Sequence, residues 1–330
     1  MTEAVSTGPT PASLIGPAPI VELTLDRKTL KTLMRRSNAI PLARLCLCAV
    51  GVGVLGFTYF RSIGSALFWP ALFAFGGVLS LTVYSLSHEC SHGTVFRSRG
   101  LNETVFWVTS LLFGQEPLYR RYSHAAHHTH TMFVGHDAQL PFAQPVGLKA
   151  YLLWYSGALY HCQFLQVLAL HSVGRISDKT RKFTPAEELP RMVRNSRVFV
   201  GIYAVAAAAS VYFGSSILIW IWLVPKLAGD PIMLMYAGSQ HFEKEENTPD
   251  LRRSTRSLKS NSLIDLFYWN MSFHIEHHLY PTVPFFSLPK LNILLKESLP
   301  EPEGVISATR EIFRGWRGRT SRRTAAHSQR

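Results

Sequence analysis

The chain has 330 residues, of which 47% are hydrophobic and 17% charged, with a formal net charge of +13. Its apolar residues gather in blocks near the ~20 residues that cross a bilayer, which excludes an ordinary soluble protein and points to a polytopic membrane protein. Mean hydropathy is only +0.09, so a large part lies outside the lipid; the positive charge beside the apolar blocks suits orientation and anionic headgroups, and no nucleic-acid partner is expected.

Residues 1–22 are rich in Pro, Ala, Ser and Thr and lack an apolar core behind a basic start, so they read as a disordered tail and not as a signal peptide. A membrane domain is expected over 23–300, with spans at about 41–60, 66–87, 197–213 and 217–239, and a basic tail at 301–330. The fold class is all-α: four transmembrane helices with a cytoplasmic helical cap. Leu101 to Gly114 is too short to cross and reads as a surface-lying or re-entrant helix. Lys149 to His171 is long enough, but crossing there would carry the last histidine group to the opposite side from the first two, so it is placed in the interface. In the fourth span Pro225 and Pro231 predict kinks. Lys226 and Asp230 either neutralise each other or mark an earlier exit to water. Lys28, Lys31, Arg35 and Arg36, then Arg175, Lys179, Arg181 and Lys182, then Arg314, Arg317, Arg319, Arg322 and Arg323 fall on one side. The positive-inside rule makes that side, and both termini, cytoplasmic, in a bacterial inner membrane.

Eight of the 14 histidines form three groups: His88 with His92, His124 with His127 and His128, and His274 with His277 and His278. Spacings of three and four stack imidazoles on one helical face. Eight donors exceed the four ligands of a structural zinc site and the three protein ligands of a catalytic one. They suit two metal ions with open positions, and nitrogen donors admit iron, copper, nickel or zinc while disfavouring calcium and magnesium. Glu89, Asp137 and Glu276 are candidate acceptors for the outer ring N–H groups of the ligands, and Asn270 is a candidate for ordering water near the metals. His130, His136, His161, His171 and His327 are not expected to be ligands.

His88-Glu89-Cys90-Ser91-His92 also matches the zinc-protease pattern H-E-x-x-H, but a protease has no use for two H-x-x-H-H groups. A metal transporter would line its spans with polar residues, which are largely missing apart from Lys226 and Asp230. Cys46, Cys48, Cys90 and Cys162 have no spacing for an iron–sulfur cluster or a disulfide framework. There is no dinucleotide fingerprint either, so electrons must come from another protein.

Ser87-His88-Glu89-Cys90-Ser91-His92-Gly93, the run from Arg121 to His130, and the run from Asn270 to Pro281 resemble, in order and surroundings, the three histidine boxes of the membrane fatty acid desaturase family. The resemblance covers roughly Leu42 to Leu291. It implies a non-haem enzyme with two iron ions that uses O2 and two external electrons to attack an unactivated C–H bond, supplied by a ferredoxin- or cytochrome-type donor with its reductase. It also implies a further ligand after the fourth span, which makes His241 the ninth, and no catalytic residue beyond the metal ligands. The expected reaction places a C=C bond in a fatty acyl chain or a related small metabolite. Hydroxylation or ketolation of a lipid or carotenoid is the alternative.

Overall fold

The computed structural model describes residues 25–140 and 147–327, so the expected tail at 1–22 lies outside the described residues. The described chain is almost wholly helical. Helix α1 is Arg27–Leu33, α2 Ala39–Arg61, α3 Phe68–Ser91, α4 Arg99–Phe113 and α5 Pro117–Thr129. Then come α6 Leu148–Tyr155, α7 Ala158–Ser172, α8 Asp178–Phe183, α9 Leu189–Tyr212 and α10 Val224–Ser239. Short helices α11 Leu251–Ser254, α12 Ser262–Phe267 and α13 His274–Leu279 precede α14 Leu288–Leu295 and α15 Val305–His327. Two-residue strands β1 Leu258–Lys259 and β2 Glu303–Gly304 pair in parallel.

Among the described residues, α2 and α3 are the helices long and apolar enough to cross a membrane on that criterion alone. Their outward residues, such as Leu47, Val50, Val54, Phe57 and Trp69, are exposed without a protein partner layer. The later pair is less regular than expected. Helix α9 begins before the anticipated 197, with Arg191, Arg194 and Arg197 in its first turns, and Ile219–Leu223 forms a π-helical stretch before α10. The irregularity therefore lies ahead of Pro225, and α10 runs on through Pro231.

Close approach of α3 and α10 sets the frame. A Cβ at Gly229 would collide with the Gly76 carbonyl, and one at Gly76 with the Pro225 carbonyl, so the two backbones touch where neither residue has a side chain. Gly77 meets Ile232, and Leu81 shares a cluster with Met233 and Leu234, so the helices run in the same direction. Gly76 precedes His88 by twelve residues and Gly229 precedes His241 by twelve. Equal lengths of helix thus bring both histidines to one level.

The two apolar segments left outside the spans lie against this pair. Helix α4 starts on a Ser98 cap and stops at left-handed Gly114; Asn102 Nδ2 ties it to the Cys90 carbonyl at 2.9 Å. The expected segment from Lys149 to His171 is two helices, broken at Gly157, which has φ +77°. Helix α7 is joined to α10 by buried polar groups. Lys226 pairs with Asp230 at 2.8 Å, His161 reaches the same carboxylate at 2.8 Å, and Tyr160 donates to it. The sequence left open whether Lys226 and Asp230 neutralise each other, and they do.

The basic segment expected at 301–330 is described as far as His327 and is helical from Val305. Helix α15 buries Ala308, Ile312 and Trp316, and Arg256 fastens it by contacting both Glu311 and the Ser239 carbonyl at the end of α10. An apolar stripe between the arginines supplies the packing that the charge count concealed. Gly229→Ala is expected to destabilise the protein by about 1–3 kcal/mol, because no side chain can move to admit the methyl group. A thermal melt of the detergent-solubilised variant checks this, and an unchanged midpoint would show that the close approach is not required.

Candidate metal centre

The three histidine groups arrive on different elements. Helix α3 runs past the expected end of its span, so His88 lies in its last turn and His92 caps it. Helix α5 begins with Pro117 behind the Glu116 cap and carries His124, His127 and His128. Helix α13 carries His274, His277 and His278 after a turn in which Trp269 and Asn270 hold φ +51° and +56°. That left-handed pair is strained for non-glycine residues. It is held by burial of Trp269 against Phe285, at 4.7 Å between ring centroids, and by the Asn270 amide. Gln240 Nε2 donates to the Met271 carbonyl at 2.6 Å and sets the end of α10, with His241, beside α13.

All nine rings meet. His88, His92, His124, His128 and His277 each offer a nitrogen, and these lie within 4.8 Å of one another; His127, His241 and His278 form a second such group. His274 completes the second group, with its Nε2 3.0 Å from that of His241 and 3.2 Å from that of His278. In the first group His88 and His277 stand 2.9 Å apart through Nε2, His92 and His124 2.9 Å, and His124 and His128 3.1 Å.

Outer contacts decide which nitrogen faces inward. His127 Nδ1 donates to Asp137 Oδ2 at 2.8 Å, and Asp137 is itself fixed by the amides of Met132, Gln139 and Leu140. His241 Nδ1 is 3.4 Å from the Ser254 carbonyl, which can only accept. Thr131 Oγ1 donates to the His127 carbonyl and so accepts from His278 Nδ1 at 3.2 Å. With the proton on Nδ1, the inward Nε2 is a bare lone pair. His274 Nε2 then lies against two lone pairs and can donate to at most one of them, so the crowded nitrogens repel unless a cation sits among them. Two nitrogens at right angles, each ~2.1 Å from a metal, lie ~3.0 Å apart. The donor set fits metal ions.

Electrostatics agree. Burial, aided by Arg120 and His127, pushes His92 down to about 3, and burial with His127 beside it does the same to His241. Burial and then the neighbouring rings hold His124, His128, His274, His277 and His278 well below the ordinary imidazole range. Asp137 is pushed up by burial but held lower still by His127 and its amide donors. These seven rings are therefore neutral at physiological pH.

Among the expected outer groups, Asp137 holds a ring and Glu89 Oε1 comes within 3.3 Å of His277 Nδ1, short of hydrogen-bond alignment. The other two serve the scaffold. Glu276 accepts from Ser257 at 2.7 Å and from Asn292, and Asn270 spans Arg44 at 3.1 Å and the Phe285 carbonyl at 2.9 Å instead of facing the rings. On α13 the Glu276 carboxylate turns toward Ser257 and Asn292 and away from the rings. Thr131 and Ser254 had no histidine spacing to mark them; Thr131 lies four residues after His127, which was the one available signal. Of the remaining histidines, His161 pairs with Asp230, His171 packs on Tyr119, and His130 and His136 are exposed.

Beside the rings lies a cavity of about 190 Å³. His88, His124, His127, His241 and His274 form one wall, and Phe113, Tyr160, Phe164, Met233 and Leu234 form the other.

The sequence model of the fatty acid desaturase family matches residues 63–309. The chain is 23% identical over 306 residues to an sn-1 acyl-lipid omega-3 desaturase (ferredoxin) of Synechocystis, covering 82% of each. It is 24% identical over 241 residues to a Delta(5) fatty acid desaturase of Caenorhabditis elegans, 64% of this chain and about half of the relative, at 54%. A Delta(12)-fatty-acid desaturase of Arabidopsis thaliana is 22% identical over 263 residues, 71% of this chain and 68% of the relative.

Two measurements test this arrangement. Asp137→Asn, which replaces the acceptor that orients His127, should weaken metal binding about 10–100-fold in a chelator competition. In the metal-free chain the seven rings with depressed values stay unprotonated, while in the unfolded chain they take up protons below ~6.5. Stability should thus be level above that pH and fall as pH drops toward 3, by about 1.4 kcal/mol per pH unit for each proton. A pH-independent melting point between 4 and 7 would contradict the burial of neutral rings.

Proposed function

This chain belongs to the fatty acid desaturase family, and on that premise we propose that it is an O2-dependent membrane desaturase that places a C=C bond in a fatty acyl chain or a related small metabolite. It is an oxidoreductase, and the observation that carries the finer reading is the division of nine imidazoles into groups of five and four beside one cavity. His88, His92, His124, His128 and His277 would hold one iron ion, and His127, His241, His274 and His278 the other. Bound there, the pair supplies the oxidant, formed from O2 and two external electrons, that can take hydrogen from an unactivated C–H bond. In balance, a –CH2–CH2– unit loses two hydrogens, O2 accepts these with two donor electrons and two protons, and two waters leave.

The chain's own residues fix where this happens. Asp137, Thr131 and Ser254 keep the proton on Nδ1 of His127, His278 and His241, so that the Nε2 of each of these rings stays available. Phe113, Phe164, Met233 and Leu234 exclude water from the far wall and give the hydrocarbon part of a substrate an apolar seat. Electrons come from a separate ferredoxin- or cytochrome-type donor, a reading supported by the name of the Synechocystis relative.

The same reading places four spans in the bilayer, with the metal centre on the cytoplasmic side of a bacterial inner membrane. Support comes from the exposed apolar residues of the later pair, Val205, Val211, Phe213, Ile217 and Ile219 among them, and from the parallel run of α3 and α10 to one level.

His88→Ala, His127→Ala and His277→Ala should each abolish product while the chain still inserts in the membrane. In a heterologous bacterial host, mass spectrometry of lipids and small acids should show a product two hydrogens lighter than its parent only with the unsubstituted chain; near-normal product from any variant would contradict the assignment. Purified protein with O2 and that parent compound should remain inactive until a donor and its reductase are added.

A further inference from the structure

One wall of the cavity holds a charge without a counter-charge. Arg120 is 4% exposed and lines the cavity, yet its Nε and Nη2 have no hydrogen-bond partner. Its guanidinium lies 5.3 Å over the Tyr84 ring and 5.6 Å over the Phe113 ring, with the Tyr84 hydroxyl as polar neighbour. Among the described residues no carboxylate pairs with it. The adjacent Arg121 is paired with Glu103 at 2.7 Å, and Glu116 is committed to Asn195 and the Tyr119 amide. A buried cation is strongly unfavourable unless an anion compensates it, and aromatic faces do so only in part.

The two free donors are informative. Nε and Nη2 form one edge of the guanidinium, the edge that takes a carboxylate through two parallel hydrogen bonds. Arg120 also stands one helical turn before His124 on the same face of α5, roughly 5–6 Å away between Cβ atoms. An anion seated on that edge is thus close to the rings. The cavity, at about 190 Å³, is smaller than the ~300–1,000 Å³ of sites that enclose drug-sized ligands.

We propose that Arg120 anchors the substrate, and that the substrate is a compact carboxylic acid whose reacting carbon lies a few bonds from its carboxylate. This rests on the desaturase reading and narrows it: a long acyl chain esterified to a lipid offers no carboxylate to the guanidinium.

Hexanoate and its neutral isostere hexanamide are the probes, titrated calorimetrically at pH 7.5 into the full metal-loaded chain in lipid nanodiscs. Hexanoate should bind at least tenfold more tightly than hexanamide. Arg120→Gln should bring the two within about threefold, and Arg120→Lys should keep part of the preference. Equal binding of the two probes by the unsubstituted chain, no hexanoate binding, or an unchanged preference in Arg120→Gln would overturn the proposal. Should Arg120→Gln not fold, the acid-to-amide ratio of the unsubstituted chain still decides. Binding requires no turnover, so failure here leaves the desaturase reading standing, while loss of that reading would show in the histidine variants.

Discussion

The structure depends on crowding imidazole nitrogens in a largely buried cluster. His127, His241 and His278 donate outward to Asp137, Ser254 and Thr131 and turn unprotonated Nε2 atoms inward, and across the cluster neighbouring Nε2 atoms stand 2.9–3.2 Å apart. Protonation would relieve the contact in water, but burial forbids it. What remains is a site in which cations are the natural partners, and in which ligand geometry is set before any ion arrives.

Much of the remaining architecture can be understood as the means of bringing the rings to one level. Glycine contacts let α3 and α10 touch, and twelve residues on each side then deliver His88 and His241 together. The strained turn at Trp269 and Asn270 swings α13 inward, and Arg44, Gln240 and Arg256 tie that turn and its surroundings to the helix ends. Arg120 introduces the opposite kind of tension: a positive group is held beside the neutral cluster, awaiting an anion.

The histidines themselves were legible because spacings of three and four survive any detail of packing, and the all-helical class followed from apolar blocks of helical length. His241 had no spacing of its own and came only from the resemblance to the desaturases. The directions of Glu276 and Asn270 were not legible, because a residue within a histidine run can face either way and the groups these two contact, Ser257, Asn292, Arg44 and Phe285, are distant in sequence. The packing of α15 was hidden by its arginines, and the π-helical stretch before Pro225 by a uniformly apolar composition. Arg120 went unnoticed because an unpaired charge is defined by what is absent around it, which a sequence does not display.

Metal stoichiometry tests the central claim most directly. The full chain, purified from iron-supplemented cells and assayed by elemental mass spectrometry, is expected to carry two irons per polypeptide. A single zinc per chain, or no bound transition metal in protein that remains folded, would contradict it.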